Sequence, residues 1–323
     1  MRINYLSYGV VETGGYRHEK YLFDSLCALV AEKEIVEQQS LRKNKLFTTW
    51  ISYFELLWWS WRNSTGDINI VGGRTALAAL LRNVVGKKEV WVVLHNFDEN
   101  DGKSKLLKWY FNMLFYWLKN QQSKRFKVIA IAPYWVNYFK QKFSSDNVYL
   151  FPNLFDVKQY EPYQNITKEK RVHLGQWSSK NDDSIFQLAR LLSEKDYYCY
   201  FSTLEPEMSA PHNGQYEVKY FNEFNSYLSE MARCCCTIAF TRINEGWNRI
   251  GHESILVHTP VIGYKKGGLG DFLKESNSII ANNAEEAYTC IVENKWSIID
   301  KSFIDTYSKQ KTNQYLEPIC NDH

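Results

Sequence analysis

Short apolar segments alternate with amphipathic, helix-like segments along almost the whole chain, and this alternation restricts the fold more than any other feature. The strand-like segments are 2–9, 68–71, 90–94, 128–132 and 148–151 in the first half, and 172–174, 198–201, 217–220, 237–240 and 261–263 in the second. The helical patterns cover 14–31, 74–84, 104–120, 135–143, 183–193, 223–233, 249–258, 284–293 and 302–311. Because buried strands that alternate with helices form parallel sheets, we expect an α/β fold with helices on both faces of each sheet.

Length and charge both predict two domains. The 323 residues correspond to two domains of ordinary size. Residues 1–160 carry 22 Lys and Arg against 14 Asp and Glu, whereas residues 161–323 carry 17 against 22, so the two halves differ in charge. A polar, turn-rich stretch at 152–165 is a plausible linker. The predicted parts are a doubly wound N-terminal domain at 1–153, a doubly wound C-terminal domain at 154–301, and a C-terminal helix at 302–323 that crosses back to the first domain.

The chain shows no sign of a disulfide framework, a leader peptide or a spanning helix. Its seven cysteines include no CxxC pair, which argues against both paired cystines and a zinc knuckle. The first residues lack the basic head and apolar stretch of a signal peptide. The most apolar windows, 50–61 and 111–118, are shorter than the ~18–20 residues that a membrane-spanning helix needs. We therefore expect a cytoplasmic protein.

Several common motifs are excluded by their spacing. Gly86-Lys87-Lys88 lacks the Ser or Thr and the upstream glycine of a P-loop, and 267–270 (GGLG) misses the spacing of a dinucleotide-binding loop. His252-Glu253 has no second histidine four residues on, so it is not a zinc-protease helix. No Asp-x-Asp pair is present to hold a metal on a diphosphate. We predict no metal site.

The ends of two predicted strands carry residues suited to an anionic, sugar-bearing ligand. Gly14-Gly15 opens the first helix, and glycines there let backbone N–H groups approach a phosphate. A tight β–α turn is the alternative interpretation. His95 follows strand 90–94 at the carboxyl edge, where sheets of this kind bind ligands. Its imidazole is suited either to a hydrogen bond with a sugar hydroxyl or to anchoring the loop.

The segment 237–273 contains the densest set of candidates. Glu245 lies in the loop after a strand, and Glu253 lies in the helix that follows. Carboxylates accept hydrogen bonds from vicinal sugar hydroxyls, and amides at a helix start can bind phosphate. The alternative role for two glutamates near a helix N-terminus is stabilisation of the helix dipole.

Short motifs in a fixed order extend over nearly the whole chain. Those in the second half are Glu245-Gly246-Trp247-Asn248, Glu253-Ser254, 258–262 (HTPVI) and 267–271 (GGLGD). The others are Gly14-Gly15, Val93-Leu94-His95, 150–156 (LFPNLFD) and the run from Leu174-Gly175-Gln176 to Lys180. In this order and at this spacing they resemble the signature of the retaining GT-B glycosyltransferases, in particular glycosyltransferase family 4, also called group 1. The resemblance implies two Rossmann-like domains that face a central cleft.

The motifs depart from that family's pattern at a few positions. Gln176 stands where the family usually has arginine, and the gap to Lys180 is one residue short. Arg249, at the start of the helix with Glu253, is the candidate replacement for the missing cation. Leu154 and His258 each occupy a position where the family has glycine, and Asp271 replaces its last glutamate.

The resemblance implies transfer of a sugar from a UDP- or GDP-linked donor to a glycan or lipid-linked acceptor, as in surface polysaccharide or glycoconjugate synthesis. The C-terminal domain would hold the donor and the N-terminal domain the acceptor, with no cofactor or metal. The implied catalytic residues are Glu245, His95 and Lys180. The implied donor-binding residues are Gly14, Gly15, Gln176, Gly246, Trp247, Asn248, Arg249, Glu253, Gly267 and Gly268. In these roles Glu253 would bind the ribose hydroxyls and Glu245 the donor sugar.

Two other functions remain open at the level of sequence. One is a nucleotide-sugar epimerase with the same fold. The other is a non-catalytic subunit that binds a membrane or a partner enzyme. Gln176 favours this alternative, and four intact residues argue against it: Glu245, Glu253, Lys180 and His95.

The basic half also contains two aromatic runs, 41–62 and 103–127, and eight of the eleven tryptophans precede residue 161. Trp and Tyr favour lipid headgroups, and Lys and Arg favour anionic lipid, so the runs indicate contact with an anionic membrane surface. A core covered by solvated charge is the alternative. No nucleic-acid-binding motif accompanies them.

Overall fold

The computed structural model describes residues 1–8, 14–29, 35–41, 50–84, 86, 88–97, 105–121, 123–296 and 298–321. They divide into two compact units, one formed by Met1–Asn153 with Thr312–His323 and the other by Leu154–Lys311. Each unit contains one sheet in which every strand pair is parallel. The predicted α/β class with doubly wound parallel sheets is confirmed.

The sheet of the first unit has six strands in the order β2-β1-β3-β4-β5-β6. The strands are β1 (Arg2–Tyr8), β2 (Ile35–Leu41), β3 (Ile68–Gly72), β4 (Glu89–Leu94), β5 (Phe126–Ala130) and β6 (Val148–Leu150). The helices that connect them are α1 (Gly14–Leu29), α2 (Trp50–Asn63), α3 (Ala76–Asn83), α4 (Lys105–Asn120) and α5 (Pro133–Phe143). Strand β5 is buried along its whole length, as expected for a central strand with helices on both sides.

The sheet of the second unit also has six strands, in the order β12-β11-β10-β7-β8-β9. The strands are β7 (Glu169–Gln176), β8 (Tyr198–Thr203), β9 (Glu217–Tyr220), β10 (Cys234–Ala239), β11 (Val261–Gly263) and β12 (Ile279–Ile280). The helices are α6 (Ser184–Ser193), α7 (Phe224–Arg233), α8 (Arg249–Leu256), α9 (Gly268–Glu275), α10 (Ala284–Val292) and α11 (Lys301–Thr306). The three consecutive cysteines lie on β10 and are unpaired, and Cys234 and Cys236 are buried.

The strand orders place a topological switch point in each unit. In the first sheet the order reverses between β1 and β3, and in the second between β7 and β10. Ligands of doubly wound sheets bind outside the carboxyl ends of the strands at such points. The loops that follow β1, β3, β7 and β10 are therefore the places where functional side chains are expected.

The last helix, α12 (Thr312–Cys320), belongs to the first unit, where it contacts β6. Lys127 on β5 is 1% exposed, and its Nζ donates to the carbonyl of Ile319 at 2.6 Å and lies 3.3 Å from Glu89 Oε2. The buried ammonium is thus satisfied by one carbonyl from α12 and one carboxylate from β4.

The boundary regions carry more structure than the sequence suggests. Residues 152–165, expected as a polar linker, hold two short 3₁₀ turns and bury Phe155 and Tyr160. The second unit continues to Lys311, beyond the expected 301. Its continuation pairs with the start of the unit, because Phe155 N donates to the Tyr307 carbonyl and Lys309 N donates to the Phe155 carbonyl, each at 2.9 Å. In the parts of the chain that the structure describes, no helix is long and apolar enough to cross a bilayer.

Candidate active site

The loops that follow β7 and β10 are joined by hydrogen bonds at the switch point of the second unit. The amide of Arg242 donates to the carbonyl of Lys180 at 3.0 Å, and Thr241 Oγ1 donates to the same carbonyl at 3.3 Å. Thr241 Oγ1 also lies 3.4 Å from Glu245 Oε1. The structure therefore brings the Lys180 loop and the Glu245 loop together, while the side chains of Lys180 and Gln176 are exposed.

Two glycines with positive φ shape these loops. Gly175, just before Gln176, has φ +79°, and a Cβ there would lie 3.1 Å from the Ile238 carbonyl. Gly267 has φ +58°, and a Cβ there would lie only 2.7 Å from the Glu245 carbonyl. The amide of Gly268 donates to that same carbonyl at 2.9 Å. The Gly267-Gly268 pair thus attaches the start of α9 to the backbone of Glu245, which only a glycine at 267 permits.

Glu253 lies in the second turn of α8 and is 3% exposed. Its Oε1 accepts a hydrogen bond from Arg249 Nε at 2.8 Å, an i,i+4 pair on one helix face. The Arg249 guanidinium lies 5.0 Å from the ring of Phe155. Burial and the neighbouring Glu253 carboxylate raise the pKa of Tyr227 well above its ordinary value, so this phenol stays protonated beside the carboxylate. The buried carboxylate thus lies between Arg249, which the sequence analysis also selected, and Tyr227, which it did not.

The residues between the two glutamates fix the conformation of the loop. Asn248 caps α8, because its Oδ1 accepts a hydrogen bond from the amide of Gly251 at 2.6 Å. Trp247 is 5% exposed and donates from Nε1 to His252 Nδ1 at 3.1 Å. The indole of Trp247 packs in an aromatic cluster, here called the α8 cluster, formed with Phe155, His252, Phe272, Phe303 and Tyr307. The side chain of this predicted donor-binding residue is thus buried in packing, and Gly246 beside it is buried as well.

His252 is uncharged inside the α8 cluster. Burial, together with the positive charge of Arg249, lowers its pKa well below the ordinary value. A neutral imidazole can present Nδ1 as an acceptor, which the Trp247 N–H requires. The His252-Glu253 pair noted in the sequence therefore has two separate roles: the histidine packs and the glutamate faces Arg249.

In the first unit, the predicted residues Gly15 and His95 lie against each other. A Cβ at Gly15 would lie 3.3 Å from His95 Cε1, so the absence of a side chain lets the imidazole pack on the helix start. Gly14 is the first residue of α1. The edge of the neighbouring His18 ring lies beside His95, with ring centroids 5.2 Å apart, and His18 Nε2 donates to the Phe151 carbonyl at 2.6 Å.

A carboxylate that the sequence analysis did not select lies next to His95. Glu19 on α1 places Oε1 3.8 Å from His95 Nε2, and its Oε2 accepts a hydrogen bond from Tyr5 on β1 at 3.1 Å. A Cβ at Gly72, the last residue of β3, would lie 2.9 Å from Glu19 Oε1. The spacing from Gly15 to Glu19 is one helical turn, so Glu19 follows the glycine on the same face of α1. That spacing is the only local signal that could have identified it.

Burial dominates the electrostatics of Glu19. It raises the pKa of this carboxyl from 4.5 to about 8, against the opposing effect of the Tyr5 hydrogen bond. The carboxyl group is therefore mostly protonated at neutral pH. Between pH 4.5 and 8 the folded state binds more protons than the unfolded chain, so this group lowers stability as the pH rises through that window.

We expect Glu19→Gln to stabilise the protein more at pH 8 than at pH 5, because the amide cannot ionise and still accepts from Tyr5. The gain at pH 8 should be roughly 1–3 kcal/mol and close to zero near pH 4.5. The free energy of unfolding in urea at the two pH values measures it. The exposed Glu55→Gln is the matched control and should change neither value. An equal gain at both pH values would show that ionisation of Glu19 is not the cause.

Within the chain segments that the structure describes, no group of three His, Cys, Asp or Glu side chains is placed to hold a metal ion.

Solved structures of glycosyltransferases share this architecture over the whole chain. A glycosyltransferase from Rickettsia africae is 14% identical, covers 99% of this chain and 98% of its own, and has a TM-score of 0.65. HepE from Anabaena, in complex with UDP and glucose, is 14% identical to this chain. The match covers 99% of this chain and 97% of HepE, with a TM-score of 0.64. Sucrose-phosphate synthase from Thermosynechococcus elongatus is 11% identical to this chain. The match covers 98% of this chain and 96% of the synthase, with a TM-score of 0.64. No protein-family model and no curated protein sequence matches the chain. The protein has the GT-B fold, as its motifs predict.

Proposed function

We propose that this protein is a retaining glycosyltransferase. It takes a sugar from a UDP- or GDP-linked donor bound by the second unit and transfers it to a hydroxyl group of a glycan or lipid-linked acceptor bound by the first. The observation that carries the proposal is the junction of the Glu245 loop with the Lys180 loop at the switch point between β7 and β10, followed by the buried carboxylate of Glu253 on α8. The presence of UDP and glucose in a solved structure of the same fold supports this choice of donor.

The donor nucleotide would be recognised by the buried carboxylate of Glu253. A carboxylate accepts two hydrogen bonds from a vicinal diol, which matches the 2′- and 3′-hydroxyls of ribose. Arg249 holds one oxygen of Glu253 and so fixes the rotamer, and its positive charge offsets the cost of a buried carboxylate. Because the Arg249 charge is neutralised by Glu253, the cation that Gln176 does not supply to the diphosphate would come from Lys180.

The diphosphate would bind where the two loops meet. Lys180 supplies a positive charge from an exposed side chain, and the positive end of the α9 dipole adjoins the Glu245 loop, to which the Gly268 amide is bonded. Such fixed positive charge stabilises the negative charge that develops on the leaving diphosphate, a role that a metal ion has in other transferases.

In the transfer step the bond from the anomeric carbon to the diphosphate oxygen breaks, and its electron pair leaves with the diphosphate. The acceptor oxygen bonds to the same face of the anomeric carbon, and its proton passes to the departing phosphate oxygen. Glu245 would stabilise the positive charge on the sugar ring between these events, and His95 would contact the transferred sugar. No separate base is needed, because the leaving phosphate oxygen takes the proton.

A panel of UDP- and GDP-sugars tests the proposal. Donors that raise the melting temperature are then incubated with acceptor glycans, and the anomeric configuration of the product is read by NMR with and without EDTA. We expect one donor to bind, a product of retained configuration, and an unchanged rate in EDTA. Binding without transfer would favour a non-catalytic role, and a changed sugar without acceptor would favour an epimerase.

We expect Glu253→Ala to weaken UDP binding by about 1.5–3 kcal/mol, the value of hydrogen bonds to a charged group. Isothermal titration with UDP measures the loss, and circular dichroism checks that α8 still folds. Glu293→Ala, an exposed glutamate next to the end of α10, is the control and should bind UDP normally. Unchanged affinity in Glu253→Ala would contradict the ribose assignment.

A further inference from the structure

Exposed aromatic side chains are concentrated on three neighbouring helices of the first unit. Among the side chains that the structure describes, the exposed tryptophans are Trp58, Trp61 and Trp109, and all three lie on α2 or α4. Other large apolar side chains exposed on these helices, or directly after α3, are Phe54, Leu81, Val84, Met113 and Tyr116. We call these eight residues the aromatic face. Residues 42–49, 103, 104 and 122 of the two aromatic runs noted in the sequence lie outside the described residues.

The three helices form one layer over the sheet. The connections from β2 to β3, β3 to β4 and β4 to β5 all cross the sheet in the same direction, so right-handed crossovers place α2, α3 and α4 on one side. Helix α3 packs between α2 and α4. Arg82 on α3 donates to the carbonyls of Trp61 and Arg62, the latter at 2.7 Å, which holds the ends of α2 and α3 together. The aromatic face is thus part of an ordered, broad surface.

Each helix buries one side and exposes another. Phe54, Trp58 and Trp61 follow the i, i+4, i+7 spacing of a single helix face and are 73, 61 and 42% exposed. The same spacing recurs on α4, where Trp109 is 50% exposed, Met113 40% and Tyr116 73%. The opposite sides are packed, as Leu56 and Leu114 are fully buried. The exposed rings are therefore additional to the packed core, and such a concentration of exposed apolar side chains indicates an interaction site.

Charge identifies the kind of surface that would cover this face. The exposed cations on α2 and α4 are Arg62, Lys105, Lys108 and Lys119, and Arg82 adds a half-buried one on α3. Glu55 is the one acidic residue on the three helices. Two copies of this face would repel each other, whereas an anionic surface would be attracted.

We infer that the aromatic face docks on an anionic lipid bilayer. Trp and Tyr rings prefer the headgroup region, where their apolar bodies are buried and their polar atoms stay hydrated. The lysines and arginines on the same helices would lie at the level of the lipid phosphates. The inference does not depend on the proposed function, because it concerns helices of the first unit that carry none of the proposed site residues, and because it is measured without a substrate.

Vesicle flotation tests the inference. The protein is floated with vesicles of phosphatidylcholine, or of phosphatidylcholine mixed with phosphatidylglycerol, at low and high salt. We expect recovery with the mixed vesicles at low salt, weaker recovery at high salt because charge is screened, and little with phosphatidylcholine alone. Equal recovery in all four conditions, or none in any, would overturn the inference.

Two sets of variants separate the aromatic and the charge contributions. Replacing Lys105, Lys108 and Lys119 by Gln should weaken binding by about fivefold each, on the order of 100-fold together. Trp58→Ser with Trp109→Ser should weaken it by about tenfold or more, since apolar area is no longer buried in the interface.

The controls come from exposed positions of the second unit. The control for the charge variant replaces Lys158, Lys195 and Lys309 by Gln. The control for the apolar variant combines Leu204→Ser with Ile298→Ser. Neither control should change binding. Light scattering measures the mass of the protein without vesicles. A dimer that Trp58→Ser dissociates would show that a second copy covers this face, and would overturn the inference.

Discussion

Glu245→Gln is expected to lower kcat by about 100- to 1,000-fold and to leave donor affinity nearly unchanged. The carboxylate would act on positive charge that exists only in the transition state, so its removal affects turnover rather than binding. The amide has the same size and can keep the 3.4 Å contact of Oε1 with Thr241 Oγ1, so the loop should keep its conformation. The measurements are kcat with saturating donor and the dissociation constant for UDP.

Glu223→Gln provides the comparison, because this glutamate is exposed at the start of α7. It should retain wild-type turnover. If Glu245→Gln instead retained kcat and lost donor affinity, Glu245 would be a binding residue and the stabilisation of the sugar cation would have to come from another group.

Trp247→Ala is expected to destabilise the protein by about 3–5 kcal/mol, the cost of truncating a large buried aromatic side chain. The indole contacts the rings of Phe272 and Tyr307, and its loss would leave a cavity in the α8 cluster. Because the α8 cluster positions the loop between Glu245 and Glu253, the variant should also lose UDP binding at temperatures where it is folded. Urea unfolding and titration with UDP measure the two effects.

Two further substitutions separate the contribution of the Trp247 hydrogen bond from that of its packing, and compare this buried tryptophan with an exposed one. Trp247→Phe keeps a ring but leaves His252 Nδ1 without its donor, so it should cost about 1–3 kcal/mol. Trp58→Ala, at an exposed tryptophan, should change stability by no more than about 0.5 kcal/mol. A small effect of Trp247→Ala with lost UDP binding would mean that the indole contacts the nucleotide directly.

The alternation of apolar strands and helices was sufficient to predict the fold class, but not every element. Strand β2 has the sequence IVEQQSL, which is apolar only at its two ends, and it lies at the edge of its sheet, so it lacks the signal of a buried strand. Helix α9 begins with Gly268 and contains Gly270, residues that usually argue against a helix. Both elements are set by tertiary contacts: β2 pairs with β1, and α9 packs on β11.

The residues of the candidate site likewise divide into those that local sequence predicts and those that only the folded structure brings together. Glu245, Glu253 and the glycines could be predicted because they form local motifs. The partners of Glu19 could not, since Tyr5 and His95 lie on other strands and meet it only in the folded sheet. The Arg249–Glu253 ion pair could have been predicted from the sequence, because an i,i+4 spacing on a helix is enough to indicate it. His258 has φ +58°, which explains in backbone terms why the resembling family has glycine there.

The return of α12 to the first unit has a consequence for the order of folding during synthesis. Domains usually fold from the N-terminus as the ribosome releases them. Here the ammonium of Lys127 on β5 is made 192 residues before the Ile319 carbonyl that accepts from it. The second unit has all its residues once Lys311 has emerged. Of these two units, the one whose translation begins first is therefore completed after the other.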